Sequence, residues 1–214
     1  MANFIKLELK NLIKVLDQVR SIHETMAGIT KRTVSDMKNR VPSWVAASVS
    51  QVYAINKKEI IPGSIKKGGE LVEQIGTVGI RGKTIDNLQF VYTGRLLTLT
   101  HFHMKPSSQP IGKNGKRPLP YELTAEIYKS KRKKIRGNYG TTPFVARYRG
   151  VDLPFQRHSS DRLPLDVLKS TSVPQMIDNE TVKKDIVAKL NKGLKERLEH
   201  NVEYAKNKLG MSGE

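Results

Sequence analysis

Apolar residues recur along this chain at two different spacings, and the spacing changes twice. After a short alternating segment, FIKLEL, apolar residues in the first third follow the three- and four-residue spacing of a helix. They are Leu12, Val15, Leu16, Val19, Ile22, Ile29, Val34 and Met37. Pro42 is expected to end this helix, because the residue before a proline is disfavoured in the α region. A second helix is then predicted from Ser43, with Trp44, Val45, Val49, Val52 and Tyr53 on its apolar side.

The second helix is expected to close at Asn56, Lys57, Lys58 and Pro62, and Gly63, Gly68 and Gly69 indicate a loop. Beyond it, the pattern becomes that of short strands. In residues 96–104, strict alternation predicts Leu97, Leu99, His101 and His103 on one face of a strand. The predicted strands cover residues 75–82, 88–94, 96–104, 121–130 and 142–150. Residues 105–120, rich in Pro, Gly and Ser, are predicted to form a long basic loop.

Helical spacing returns in the last third. A strand around 165–170 and a proline-led turn are expected to precede a helix that starts near Asp178, which would cap it. Gly193 lies inside this helix at a cost of about 1 kcal/mol, and Gly210 ends it. A four-residue repeat drifts slowly around a helix, so the apolar stripe is expected to serve both a core and a neighbouring protein. The stripe consists of Val182, Ile186, Leu190, Leu194, Leu198, Val202, Ala205 and Leu209.

Helices, then antiparallel strands, then a long helix predict an α+β fold. We expect one domain over residues 1–214, mainly helical in 1–66, mainly β in 70–172 and a long helix in 173–210. The hydrophobic fraction of 37% is low, so part of the apolar surface is expected to be buried only on assembly.

The chain contains no cysteine, which excludes disulfides, thiolate metal sites and cysteine nucleophiles. The opening residues lack the pattern of a signal peptide, and no apolar run approaches the roughly 20 residues that span a bilayer. The sequence therefore predicts a soluble protein made in the cytoplasm, with no membrane partner.

Positive charge is the strongest compositional feature, at a net +18. Residues 105–149 contain 12 basic and 2 acidic residues, a balance of +10, so more than half of the net charge lies in about a fifth of the chain. The candidate contact residues for DNA or an acidic partner are Lys113, Lys116, Arg117, Lys129, Lys131, Arg132, Lys133, Lys134 and Arg136.

Two interpretations of the basic stretch KSKRKKIR, residues 129–136, are equally supported. It forms either a surface for phosphates, whose binding weakens steeply with salt, or a solvated hairpin tip that faces an acidic protein. Tyr128, Tyr139 and Tyr148 lie nearby and are candidates for stacking on bases. Tyrosines in strands are more often packing residues, so packing is favoured here.

Candidate sites for metals and catalysis are weak. His101 and His103 alternate, but a third ligand would have to come from Glu122 or Glu126, so a half-exposed strand face is favoured over a metal site. Ser43 and Ser50 lack a nucleophile motif, and neither GTVGIRG nor GKNGKR has the spacing of a phosphate-binding loop. We therefore expect a protein that is not an enzyme and that holds no cofactor or metal.

Several segments, taken in order, resemble the minor tail protein Z family of lambda-like phages and prophages. They are RVPSWVAASVSQVYAINKKEI at 40–60, HFHMKPSS, YELTAEIYKSKRKK, and PFVARYRG followed by FQRHSSDRLPLDVLKSTSVPQMI. The last is the most telling, and its matching positions are Gln156, Arg157, Arg162, Pro164, Val167, Ser172 and Pro174. The likeness spans most of the chain, and its motifs are structural rather than catalytic.

The resemblance implies a virion protein that acts late in assembly, at the head-proximal end of the tail. It implies a hexameric ring around the DNA channel, with adjacent tail and neck proteins as partners and the phage DNA end within reach. A channel through which DNA slides should not hold phosphates tightly. We therefore expect much of residues 129–136 to face a protein.

Two alternatives stay open. A stand-alone basic DNA-binding protein would suit the charge, although no recognised DNA-binding motif occurs in the sequence. A head–tail stopper or tail terminator ring would share the ring logic and differ only in its position along the neck.

Overall fold

Two long helices lie against each other and contribute many of the buried apolar residues of the larger of two hydrophobic cores. The computed structural model describes residues 3–6, 23–61, 76–112, 115 and 120–208. The helices are α1 (His23–Val52), α2 (Lys57–Ile60), α3 (Val173–Asp178) and α4 (Glu180–Lys208). The strands are β1 (Asn3–Lys6), β2 (Gly76–Arg81), β3 (Gln89–Gly94), β4 (Leu96–Thr98), β5 (Thr124–Tyr128), β6 (Lys131–Lys134), β7 (Phe144–Tyr148), β8 (Val151–Arg157), β9 (Leu165–Val167) and β10 (Lys169–Ser172). The fold is α+β, as the sequence predicts.

Several sequence predictions lie outside the described residues. They are the helical positions Leu12 to Ile22, the loop glycines Gly63, Gly68 and Gly69, the basic residues Lys113, Lys116 and Arg117, and the helix end at Leu209 and Gly210.

Helix α1 does not end at Pro42, and the prediction of two helices there was wrong. The helix runs through the proline from His23 to Val52. Met37, Val41, Val45 and Val49 follow at four-residue spacing and are fully buried. This burial across the proline outweighs the hydrogen bond that a proline removes from a helix interior, a case of packing overriding local propensity.

Helix α4 packs antiparallel against α1. Lys189 Nζ donates to Ser48 Oγ at 2.9 Å near one end, and Asn201 Nδ2 donates to Thr33 Oγ1 at 3.1 Å near the other. The predicted stripe from Val182 to Ala205 is buried within the chain itself. The expectation that it also serves a neighbouring protein is therefore not supported by the described residues.

Asn179, not Asp178, caps helix α4. The Asn179 Oδ1 atom accepts from the backbone N–H groups of Thr181 at 3.1 Å and Val182 at 3.4 Å. Asp178 belongs to α3 and accepts from the Tyr92 hydroxyl at 2.7 Å. Burial and this hydrogen bond both raise the pKa of Tyr92. Asp178 thus ties the start of the last helix to strand β3.

The strands form four small antiparallel sheets. β3 lies between β1 and β2, and β8 lies between β7 and β9. β10 pairs with β4, and β5 pairs with β6. The sheet that contains β3 supplies Phe90 and Tyr92 to the larger core beside α1 and α4.

The strand predicted at 96–104 is shorter than expected, and its predicted faces were wrong. β4 ends at Thr98, and Leu99–His101 form a 3₁₀ turn. A 3₁₀ turn has three residues per turn, so strand alternation is lost there. Leu97 and Leu99 are buried, but His103 is exposed and has a positive φ of 46°.

Strands β6 and β8 were not predicted. β6 has no apolar residue to alternate with polar ones. β8 contains Pro154, which argues against a central strand because proline cannot donate to the ladder. The Pro154 carbonyl nevertheless accepts a hydrogen bond from the Leu168 N–H at 2.8 Å.

A second, smaller core underlies the β5–β6 hairpin. It consists of Leu99, Met104, Leu123, Ala125, Val145 and Leu168. Leu123, which precedes β5, and Ala125, which lies within β5, both point into this core. The basic stretch is therefore mounted on packed structure rather than on a loop. Among the described helices, none is both long and apolar enough to cross a membrane.

Candidate partner-binding surface

The basic stretch forms the outer strand of a hairpin. β6 pairs with β5 so that Arg132 lies opposite Glu126 and Lys134 opposite Thr124. Glu126 accepts from the Ser130 N–H at 2.6 Å and so fixes the turn. The prediction of a basic hairpin tip is corrected, because four of the six cations lie along the strand and not at its turn.

Two of these cations belong to the fold. Arg132 Nη1 donates to the His103 carbonyl at 2.9 Å, and its Nη2 lies 3.6 Å from Glu126 Oε2. Lys134 pairs with Glu122. Arg132 thereby ties the hairpin to the segment that follows β4. Each of these two cations already faces a carboxylate, so it offers a separate partner less net charge than an unpaired lysine does.

The other four cations are free for a partner. Lys129, Lys131, Lys133 and Arg136 are exposed, and within the described part of the chain none of them forms an ion pair. Lys131 and Lys133 alternate with the two paired cations, so they point away from them. The hairpin thus separates its cations into an internally neutralised pair and a free set, which we call the free hairpin cations.

β6 is also an edge strand in the described structure, since its only strand neighbour is β5. Lysines on an exposed edge are a common protection against unwanted strand pairing. This supplies a structural reason for the sequence KRKK that is independent of any partner. The charge still remains available to an acidic surface, because the lysine ammonium groups are exposed.

The three tyrosines near the basic stretch each have a neighbouring side chain against the ring. Tyr128 stacks on Tyr53 with ring centroids 4.9 Å apart, and Tyr139 stacks on His158 at 4.4 Å. Burial and the hydrogen bond with Tyr128 raise the pKa of Tyr53 to about 12. The guanidinium of Arg149 lies 5.3 Å from the Tyr148 ring centre. Two of the three rings therefore stack within the protein, although all three tyrosines remain exposed.

The histidines do not converge on a metal. His101 Nδ1 lies 2.8 Å from Glu59 Oε2, and no group of three or more potential ligands comes together among the described residues. Burial of Glu59 acts to raise the pKa of its carboxyl group, but hydrogen bonds with His101 and Asn56 outweigh burial and hold that pKa below its usual value. The pair joins α2 to the turn after β4.

A second surface was missed by the sequence reasoning. An open cleft of about 630 Å³ lies beside the β7–β8 turn. Leu96, Tyr148 and Val151 line it and remain about half exposed. Arg149 adopts a positive φ of 49° in the turn, and Arg95 and Lys169 add two further cations to the lining. Exposed aromatic and aliphatic side chains with arginine at the edge are typical of protein interfaces.

This apolar cleft and the hairpin belong to one continuous surface. A neighbouring hollow of about 570 Å³ is lined by Arg136 at one side and by Leu96 and Lys169 at the other. The apolar residues come from separate segments that only the fold brings together. No single stretch of the sequence therefore signalled the cleft.

Comparison with protein-family models, with curated proteins and with solved structures gives no match for this chain.

Proposed function

We propose that this protein is a virion structural protein that completes the head-proximal end of a phage tail and enables joining to the head. The placement rests on the resemblance of the sequence to the tail protein Z family. In this proposal six copies of the chain form a ring around the DNA channel. The protein binds its partners and catalyses no reaction.

The observation that carries the binding role is the sorting of charge on the hairpin. Arg132 and Lys134 are neutralised by the protein's own carboxylates, whereas the free hairpin cations project from a strand anchored on a buried core. Rigid presentation lowers the entropy that is lost when a partner binds. The adjoining apolar cleft supplies contact area that charge alone does not.

An acidic neighbouring protein is the partner that fits this surface. Complementary charge at an interface raises the association rate and suppresses wrong partners, while a central apolar patch supplies affinity. Phosphate binding at the same lysines would instead hinder DNA that slides through a channel. The ring proposal also needs an interface other than the α4 stripe, which is buried internally.

The proposal is tested with the variant K131E/K133E. Both lysines are exposed, so the fold should be retained, while affinity for purified tails that lack the protein should fall by about tenfold or more. Binding is measured by co-sedimentation of the protein with tails. K183E/K184E makes the same charge change at exposed positions on α4 and should bind tails as the wild type does.

The same pair of variants separates the proposal from a DNA-binding hairpin. We expect K131E/K133E and K183E/K184E to weaken binding to duplex DNA to a similar extent, through net charge alone. If K131E/K133E bound tails normally and lost DNA binding selectively, the hairpin would be a DNA contact and the proposed role would be wrong.

A further inference from the structure

A cationic cleft lies on the face formed by α1 and α4, away from the hairpin and outside the basic segment 105–149. It has a volume of about 520 Å³ and opens to solvent along the groove between the two helices. The side chains that line it include Arg32, Asp36, Arg40, Arg197, His200 and Tyr204.

The arginines of this cleft are not neutralised by the fold. Arg32 and Arg40 lie two turns apart on α1, and Arg197 faces them from α4. Within the described residues, none of the three forms an ion pair with a carboxylate. Asp36 is the only carboxylate that lines the cleft, so three guanidinium groups face one carboxylate.

Asp36 itself is held by the helix interface. Its Oδ2 atom accepts from Asn201 Nδ2 at 3.2 Å, and the same amide nitrogen donates to Thr33 Oγ1 at 3.1 Å. Asn201 is only 6% exposed. The floor of the cleft is therefore a buried hydrogen-bonded contact that fixes the spacing of the helices and of the arginines above it.

An aromatic ring completes the cleft. The guanidinium carbon of Arg32 lies 4.5 Å from the Tyr204 ring centre, which is a cation–π contact, and the tyrosine remains half exposed. Arginine forks match the geometry of phosphate oxygens, and aromatic or guanidinium planes stack on sugars and bases. The hairpin, by comparison, presents mainly lysines, which act as point charges.

We propose that this α1/α4 cleft binds phosphate groups of the duplex DNA backbone, with Arg40 and Arg197 as the principal phosphate ligands. Arg32 and Tyr204 contact the adjoining sugar or phosphate. The assignment stands on the cleft alone and requires no phage tail. The test of this assignment measures DNA affinity. Failure of the assignment is therefore distinguishable from failure of the tail-binding role.

The test measures binding of a 20-base-pair duplex to the full chain by fluorescence anisotropy over a range of salt concentrations. Each lost phosphate contact should reduce the salt slope by about 0.9. R40Q/R197Q is therefore expected to lower the slope by about 2 and to weaken binding more than tenfold at low salt. K131Q/K133Q removes the same charge from the hairpin and should leave most of the affinity and slope intact.

The variant R40K/R197K provides a second readout. It keeps both positive charges but removes the guanidinium groups that bind phosphate through two hydrogen bonds. It should therefore retain most of the salt slope while binding DNA more weakly than the wild type. Far-ultraviolet circular dichroism checks the folding of each variant. A competition with inorganic phosphate at constant ionic strength distinguishes a free phosphate from the polymer as the ligand.

Equal losses in R40Q/R197Q and K131Q/K133Q would overturn the assignment, as would an unchanged affinity in R40Q/R197Q. Displacement of the duplex by millimolar phosphate would also overturn it, because the cleft would then be a site for a small anion.

Discussion

At Gly193 the absence of a side chain makes room for an indole ring. A Cβ atom at this position would lie 2.1 Å from Cη2 of Trp44, a distance that no packed structure tolerates. The residue that looks like a weakness in the sequence of α4 is thus required by the packing of α1 against it.

We predict that G193A destabilises the protein. Overpacking costs about 1–3 kcal/mol, which offsets the gain of about 1 kcal/mol in helix propensity, so a net loss of about 1 kcal/mol is expected. Urea unfolding measures it. Gly28 of α1 is a matched control, because a Cβ there meets nothing within 4 Å. G28A should be more stable than the wild type by about 1 kcal/mol. Equal stabilisation by both changes would contradict the packing argument.

A second prediction at this scale concerns pH. The hydrogen bonds of Glu59 hold its pKa below the value of 4.5 in an unfolded chain. The folded state therefore favours the carboxylate, and the stabilisation is present above that value and lost as pH falls through the folded pKa. The stability difference between the wild type and E59Q should shrink between pH 6 and pH 3, as followed by urea unfolding at several pH values.

The control for this experiment removes the partner of the carboxylate. In an H101A background, the effect of E59Q on stability should depend less on pH, because one of the two hydrogen-bond partners is gone. A pH dependence that is the same in both backgrounds would show that the His101 contact does not stabilise the carboxylate.

At the scale of elements, the long regular patterns were predicted well. The stripe of α4 reflects burial that local spacing encodes. Pro42 misled the prediction, because its local cost is outweighed by the packing of four fully buried residues around it. Information about α4 is absent from the local sequence of α1. For the same reason, the apolar cleft at Leu96 and Tyr148 could not be predicted.

The hairpin shows the same limit for the candidate site. The sequence identified the cations of residues 129–136 as one group. It did not show that Arg132 bonds to the His103 carbonyl while Lys131 and Lys133 stay free, since that division depends on the register of β5 and β6. The α1/α4 cleft was missed because Arg197 is 157 or more residues from Arg32 and Arg40 in sequence, and all three lie outside the basic segment.

The start of α4 allows a further prediction. Asn179 caps the helix through two backbone N–H groups, so N179A should cost about 1 kcal/mol. Asn191, exposed in the middle of the same helix, is the control. N191A should gain a few tenths of a kcal/mol, because alanine is the better helix former. Thermal unfolding of the two variants gives the comparison. A stable N179A protein would mean that the cap at Asn179 contributes little.

At the scale of the whole molecule, the two binding surfaces differ in chemistry and position. The hairpin with its neighbouring apolar cleft is suited to an acidic protein, and the α1/α4 cleft presents arginine forks and an aromatic ring. In the proposed role, the first surface would meet other virion proteins and the second would meet DNA.

The most direct test of the central claim images tails assembled without this protein, before and after the purified protein is added. A protein that completes the tail should add a ring-shaped density at the head-proximal end only, and the K131E/K133E variant should add it poorly. Tails that remain bare at that end, with a protein that binds only duplex DNA, would show that the proposed tail role is wrong.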